Sequence, residues 1–143
     1  MPVPGDSVAL ALRSPRPVFG ALLRPQCLDI HPGHANPALA QLLRCTGARR
    51  YAVITACNPG SRQLAAADNA ARQAWLAERL TCLKLRFFPA CNGPDASDWP
   101  AEPSFLVLDA PLALLRRLGR ACGQNALVAG RRDGRPRLVW LHA

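Results

Sequence analysis

The side chains best equipped for chemistry fall in three short stretches. The first, "VITACNPGSRQ" (Val53–Gln63), opens as an apolar strand with Thr55 and then turns polar at Asn58, Pro59, Gly60 and Ser61. Asn69 and Arg72 follow on the next predicted helix. The second stretch holds Glu102 and Ser104, and the third Gln124 and Asn125. Asn58 and Ser61 can donate or accept hydrogen bonds, and Arg62 and Arg72 add cationic donors. A helix start after this loop offers unpaired N–H groups and a partial positive charge, both favourable to anions. The same Asn-Pro-Gly bend also serves as a plain strand-to-helix connection with Ser61 as a cap. Glu102 is the only carboxylate in the set. At a strand mouth it suits a general base or a ligand-hydroxyl acceptor, or else an arginine partner. Gln124 and Asn125 either lock loops together, as buried amides need partners, or read the polar edge of a base or amide. Asn69 has the same two readings. The set contains no histidine, no nucleophile–base pair and no full phosphate loop, so no reaction follows from it.

The chain carries a formal charge of +9, and Lys84 is its single lysine. Arg116, Arg117, Arg120, Arg131, Arg132, Arg135 and Arg137 crowd the C-terminal part against Asp133 alone. Such a surface attracts phosphates by field and by bidentate contact, or simply keeps the protein in solution. A nucleic-acid partner held by Arg131, Arg132, Arg135 and Arg137 is therefore the alternative to a small-molecule partner. A third possibility is an interaction module that adds a strand at the hairpin edge. Cys27, Cys45, Cys57, Cys82, Cys91 and Cys122 form no Cys-x-x-Cys pair. His31 and His34 are separated by Pro-Gly, and no four-ligand set with recognisable spacing is present, so neither a metal nor a cofactor is expected. Cys57 reads as a small buried side chain. Trp75 and Trp140 read as core, and Trp99 as an exposed aromatic beside the polar loop.

These residues need elements to position them. Residues 1–17, with four prolines, read as a loose N-terminal arm. Short strands are expected at Val18–Leu23 and Gln26–His31. Asn36–Gly47 has the marks of a helix: Asn36 as cap, Pro37 at the first position, a Leu39–Leu42–Leu43 stripe and Gly47 at the exit. The continuous apolar run Tyr51–Cys57 suits a strand covered on both faces, as in a parallel sheet. Ala66 to about Leu80 reads as helix. "CLKLRFF" alternates and reads as a half-exposed strand, followed by a long loop from Pro89 to Pro103. Ser104–Leu108 is an apolar strand, with Asp109 the expected cap of a helix to about Ala121. "ALVAGRRDGRPRLVWL" reads as a hairpin with a tight turn at Asp133-Gly134, its second arm on a sheet edge because of Pro136.

At 143 residues and 50% hydrophobic, residues 18–143 are expected to form a single domain. The expected class is α/β or α+β: a mixed sheet of about five to six strands with three helices packed on it and a C-terminal β-hairpin. No apolar run approaches the roughly 18 residues of a membrane span, and "VALAL" is too short for a secretory signal. No membrane association and a cytoplasmic location are expected.

"ITACNPGSRQLAAADNAARQAWLAERL", "WPAEPSFLVL" and "GQNALV", in that order, resemble an uncharacterised bacterial family, domain of unknown function 3293. The resemblance runs roughly from Leu28 to Leu141. Its pattern falls on Thr55, Ala56, Asn58, Pro59 and Ser61, then Asn69, then Glu102 and Ser104, then Gly123, Gln124 and Asn125. It implies that these polar residues meet in space. The family usually has an aromatic residue where this chain has Cys57, which argues against a nucleophilic role there. It often opens the second helix with Ser or Thr. Here Ala65 precedes Asp68, so a side-chain cap is lost. The expected function is a polar pocket for a phosphate-bearing or nucleotide-like small molecule, with Glu102 as the acid–base group if there is turnover.

Overall fold

The computed structural model describes residues 8–11, 27–30, 33–92, 102–133 and 135–142. Its elements follow as β1 (Val8–Ala11), β2 (Cys27–Ile30), α1 (Pro37–Thr46), β3 (Arg50–Ile54), a 3-10 turn (Pro59–Ser61), α2 (Ala66–Cys82), β4 (Arg86–Asn92), β5 (Glu102–Leu108), α3 (Leu112–Ala121), β6 (Ala126–Arg131) and β7 (Arg137–Trp140). β1 lies within the stretch read as an arm and pairs antiparallel with β2. The expected strand at Val18–Leu23 and the aromatic Trp99 lie outside the described residues.

α1 forms as its ends dictate. The Asn36 side chain accepts from the Leu39 N–H at 3.0 Å, Pro37 takes the first position, and Gly47 ends the helix in the left-handed region at φ 70°. Leu39, Leu42 and Leu43 are buried on one side.

The main sheet has the order β4-β5-β3-β6-β7, and every neighbouring pair is antiparallel. The expected α+β class, with three helices and a C-terminal hairpin, holds, but the sheet is antiparallel throughout instead of mixed, and the expected parallel strand at Tyr51–Cys57 is corrected to an antiparallel one. A continuous apolar run reports burial of both faces, not strand direction. β3 is central, with α1 on one face and α2 and α3 on the other. Tyr51 and Val53 join Leu39, Leu43, Leu106, Leu108 and Val128 on the α1 side. Ala52 and Ile54 join Leu76 and Leu80 of α2 and Leu115 and Leu118 of α3 on the other. Fully burying one leucine is worth about 1.5–3 kcal/mol, so these two layers hold the sheet between them. β3 and β4 flank β5 and are linked by α2, while β5 and β6 flank β3 and are linked by α3. This is a double split β-α-β unit, the ferredoxin-like order, with β7 added at one edge. The Tyr51 ring crosses directly over Gly130, its register partner. A Cβ at Gly130 would stand 2.5 Å from the Tyr51 hydroxyl, so this crossing requires glycine. Burial pushes the Tyr51 hydroxyl's pKa up, with help from the charge of Asp133.

Other boundaries moved for local reasons. Residues Leu83–Leu85 form a turn with Lys84 at φ 57°, so β4 begins at Arg86 and extends through Pro89 to Asn92. Proline is accommodated there because β4 is an edge strand. Trp75 and Trp140, expected in the core, are 40% and 53% exposed. Trp75 sits about 100° round the helix from the buried Leu76, and Trp140 lies on the outermost strand. The β6–β7 pairing stops at Ala129–Arg137, leaving a longer connection than a two-residue turn.

Asp109 does not cap α3, whose N-cap is Pro111. Instead, at φ 55°, its carboxylate accepts the Arg49 N–H at 2.8 Å and the Arg50 N–H at 3.2 Å, and pairs with Arg86 at 2.9 Å. Partial burial alone would raise its pKa, but the two backbone donors and the Arg86 guanidinium outweigh it, and the net shift is downward. A carboxylate whose pKa falls on folding stabilises the fold above its unfolded value of about 4, and that contribution is lost as pH drops through the lower folded value. Melting curves from pH 7 down to pH 2 should therefore show a shallower acid limb for Asp109→Asn, which tolerates the left-handed backbone. An acid limb identical to wild type would remove Asp109 from the acid response.

Candidate functional site

At the end of β3 the chain leaves the sheet, and every turn of the following loop is held by a side chain. The Thr55 hydroxyl donates to the Pro103 carbonyl at 2.7 Å and accepts from the Cys57 N–H at 3.0 Å. The Gln73 Oε1 accepts the Ala56 N–H at 3.0 Å. Asn58 adopts the left-handed region at φ 48°. Its N–H donates to the Asn69 Oδ1 at 2.9 Å, and its Oδ1 accepts from the Asn69 Nδ2 at 2.8 Å and the Leu64 N–H at 2.9 Å. The Asn58–Asn69 exchange fixes the loop onto the first turn of α2. That helix starts at Ala66, and its N-cap residue Ala65 gives no side-chain cap, as the missing Ser or Thr implies.

The loop is bound equally firmly on its other side. Arg72 donates from Nε to the Ala56 carbonyl at 2.7 Å and from Nη2 to the Cys122 carbonyl at 2.6 Å. Gln124 donates to the Cys57 carbonyl at 2.9 Å, Asn125 donates to the Ser61 hydroxyl at 3.1 Å, and the Gly60 N–H donates to the Gly123 carbonyl at 2.7 Å. Gly123 sits at φ 71°, and a Cβ there would lie 2.8 Å from the Pro59 Cβ. Cys57 and Cys122 are buried, and desolvation pushes the Cys122 thiol up to about 11, against the opposing charge of Arg72.

Thr55, Asn58, Ser61, Asn69, Arg72, Gln124 and Asn125 thus belong to one network. Ser104 stands apart. It is 1% exposed, its Oγ has no partner among the described residues, and it shares the α1-side face of Leu106 and Leu108. Glu102 opens β5 opposite Asn92 and immediately precedes Pro103; its side chain lies outside the described residues. The hairpin arginines Arg131, Arg132, Arg135 and Arg137 are all exposed, and Arg132 also donates to the Ala48 carbonyl at 3.1 Å and the Gly47 carbonyl at 3.4 Å. No group of three or more histidine, cysteine or acidic residues stands close enough for a metal among the described residues. No described helix is long and apolar enough to cross a membrane.

Beside the network lies a cavity of about 650 Å³, between α2 and the start of β5. Cys57, Asn58, Asn69 and Gln73 contribute its polar wall, and Ala66, Ala70, Ala74, Ala77, Pro103 and Phe105 its apolar wall. Gln73 is the residue that the sequence reading missed. It is 9% exposed, and its Nε2 reaches no acceptor among the described residues. The available signal was its spacing, four residues after Asn69 on the same helix face.

No curated protein and no solved structure matches the chain. The family described as a protein of unknown function (DUF3293) matches residues 54–127, just over half of the chain and the whole stretch from Thr55 to Asn125 that builds the network. The chain belongs to this DUF3293 family.

Proposed function

We propose that this domain binds a small organic molecule in the cavity between α2 and β5. The observation that carries the reading is the buried Gln73 amide, whose Nε2 has no acceptor among the described residues and whose side chain lines the cavity. A buried donor left unpaired costs about 1–3 kcal/mol, so an acceptor oxygen supplied by a ligand removes a standing penalty. The volume falls within the range of small-molecule sites, and the alanine face of α2 opposite Phe105 suits a flat apolar body. The uncapped start of α2 at Ala66, on the cavity wall, offers N–H groups to an anionic end, and Asp68, the acid in the same turn, is exposed and does not line the cavity. A phosphate-bearing or nucleotide-like metabolite has both parts. Arg72 holds two carbonyls instead of facing the cavity, so its role is to fix the loop. Glu102 keeps the general-base assignment in this reading, adjoining the cavity residue Pro103.

The test is a thermal-shift screen against nucleotides and sugar phosphates. A ligand at one hundred times its Kd stabilises the native state by about 2.7 kcal/mol. Ala70→Trp, at an exposed position on the wall, should leave melting unchanged without ligand and abolish the shift. A shift that survives Ala70→Trp places the ligand elsewhere. Glu102→Gln, if it blocks turnover but keeps the shift, separates catalysis from binding.

A further inference from the structure

The far end of the sheet, away from the cavity, concentrates arginines, and five of them fall into two sets. Arg86 and Arg132 turn to the α1 side. Arg86 donates to the Thr46 carbonyl at 2.8 Å and pairs with Asp109, and Arg132 donates to the Ala48 and Gly47 carbonyls. These two hold the C-terminus of α1 and have a structural duty.

Arg50, Arg131 and Arg137 form the second set. Arg50 and Arg131 are register partners on β3 and β6. Arg50 precedes Tyr51, which faces α1, so the pair projects to the opposite face. Arg137 on β7 partners Ala129, which belongs to that same opposite face. Three exposed guanidinium groups therefore stand on one face of three adjacent strands. Register partners have Cα atoms about 4.5–5.5 Å apart, and successive rows on a face are about 6–7 Å apart. Like charges directly opposite one another destabilise a sheet. Among the described residues no carboxylate pairs with these three. The two acids at this end are engaged elsewhere: Asp109 by Arg86 and two N–H groups, and Asp133 by the Arg135 N–H at 2.9 Å. α3 also starts at this end, with no acidic residue in its first turn.

We propose that Arg50, Arg131 and Arg137 form a surface that binds the phosphodiester backbone of a nucleic acid. A row of cations across three strands matches a chain of phosphates better than it matches one small anion. Guanidinium forks bind phosphate oxygens in two-point contacts, and a net charge of +9 draws the polymer in. The sequence gathered Arg131 and Arg137 into one hairpin; Arg50 joins them only through strand pairing, and Arg132 leaves the group. This surface is independent of the cavity.

The experiment is fluorescence anisotropy with a labelled 20-nucleotide single strand and a 20-base-pair duplex over a salt series. Each phosphate neutralised contributes roughly 0.7–0.9 to the slope of log affinity against log salt. The triple variant Arg50→Gln, Arg131→Gln, Arg137→Gln should bind at least tenfold more weakly, with a slope smaller by roughly 2–3. Its melting temperature should be at or above that of wild type, because a like-charged pair has been removed; a purely structural role would lower it. A control triple at the exposed Arg62, Arg79 and Arg117 removes the same charge and should retain most of the affinity. Equal losses in both triples, no binding at 50 mM salt, or equal competition by inorganic pyrophosphate at matched phosphate concentration would each overturn the assignment.

Discussion

Gly123→Ala is expected to lower the unfolding free energy by about 2–5 kcal/mol and the melting temperature by roughly 10 °C. Two independent effects add. A residue with a Cβ is held at φ 71°, which costs about 1–2 kcal/mol. The new Cβ also meets the Pro59 Cβ at 2.8 Å, and neither atom sits on a flexible side chain, so backbone must shift; overpacking of this kind costs about 1–3 kcal/mol. The shift would pull the Gly123 carbonyl from the Gly60 N–H and disturb Gln124 on the Cys57 carbonyl. Gly123→Asn separates the effects, since asparagine accepts the left-handed backbone but brings the same Cβ. It should recover no more than the conformational part. A Gly123→Ala protein melting within about 2 °C of wild type would mean that the corner yields freely and does not clamp the loop.

Arg72→Met should destabilise by about 2–4 kcal/mol, read as a lower urea midpoint at unchanged slope. Hydrogen bonds to charged groups contribute about 1.5–3 kcal/mol each, and Arg72 makes two, to the carbonyls of Ala56 and Cys122. The expected loss is smaller than that sum because the side chain is half-buried and partly solvated. Arg72→Lys is the informative companion. An ammonium keeps the charge but lacks the planar fork that spans two carbonyls from different elements, so it should restore less than half of the loss. Full restoration by lysine would show that only charge near the Cys122 carbonyl is needed.

Much of this protein is readable from local chemistry. Asn36, Pro37 and Gly47 announce both ends of α1, because caps act through neighbouring backbone groups. Ala65 in place of a hydroxyl residue announces an uncapped α2. The family pattern singles out Thr55, Asn58, Ser61, Asn69, Glu102, Ser104, Gln124 and Asn125; of these, Thr55, Asn58, Ser61, Asn69, Gln124 and Asn125 meet, Ser104 does not, and the Glu102 side chain lies outside the described residues. Strand direction is different. The run from Tyr51 records burial on two faces, and only the surrounding layers decide that an antiparallel sheet supplies them.

The duties of the polar groups also depend on the tertiary fold. Arg72 reads as an anion donor along the chain but is a carbonyl clamp, because β3 and α3 end on either side of it. Ser104 reads as part of the site but belongs to the α1 side, because its strand position puts it in step with Leu106. Gln73 looks like one amide among many helix residues until burial leaves its nitrogen unpaired. Arg50 looks unrelated to the hairpin until pairing sets it against Arg131. Sequence settled what depends on neighbours within a turn. Hydrogen-bond satisfaction and charge proximity join residues dozens of positions apart, and only the folded arrangement decides those.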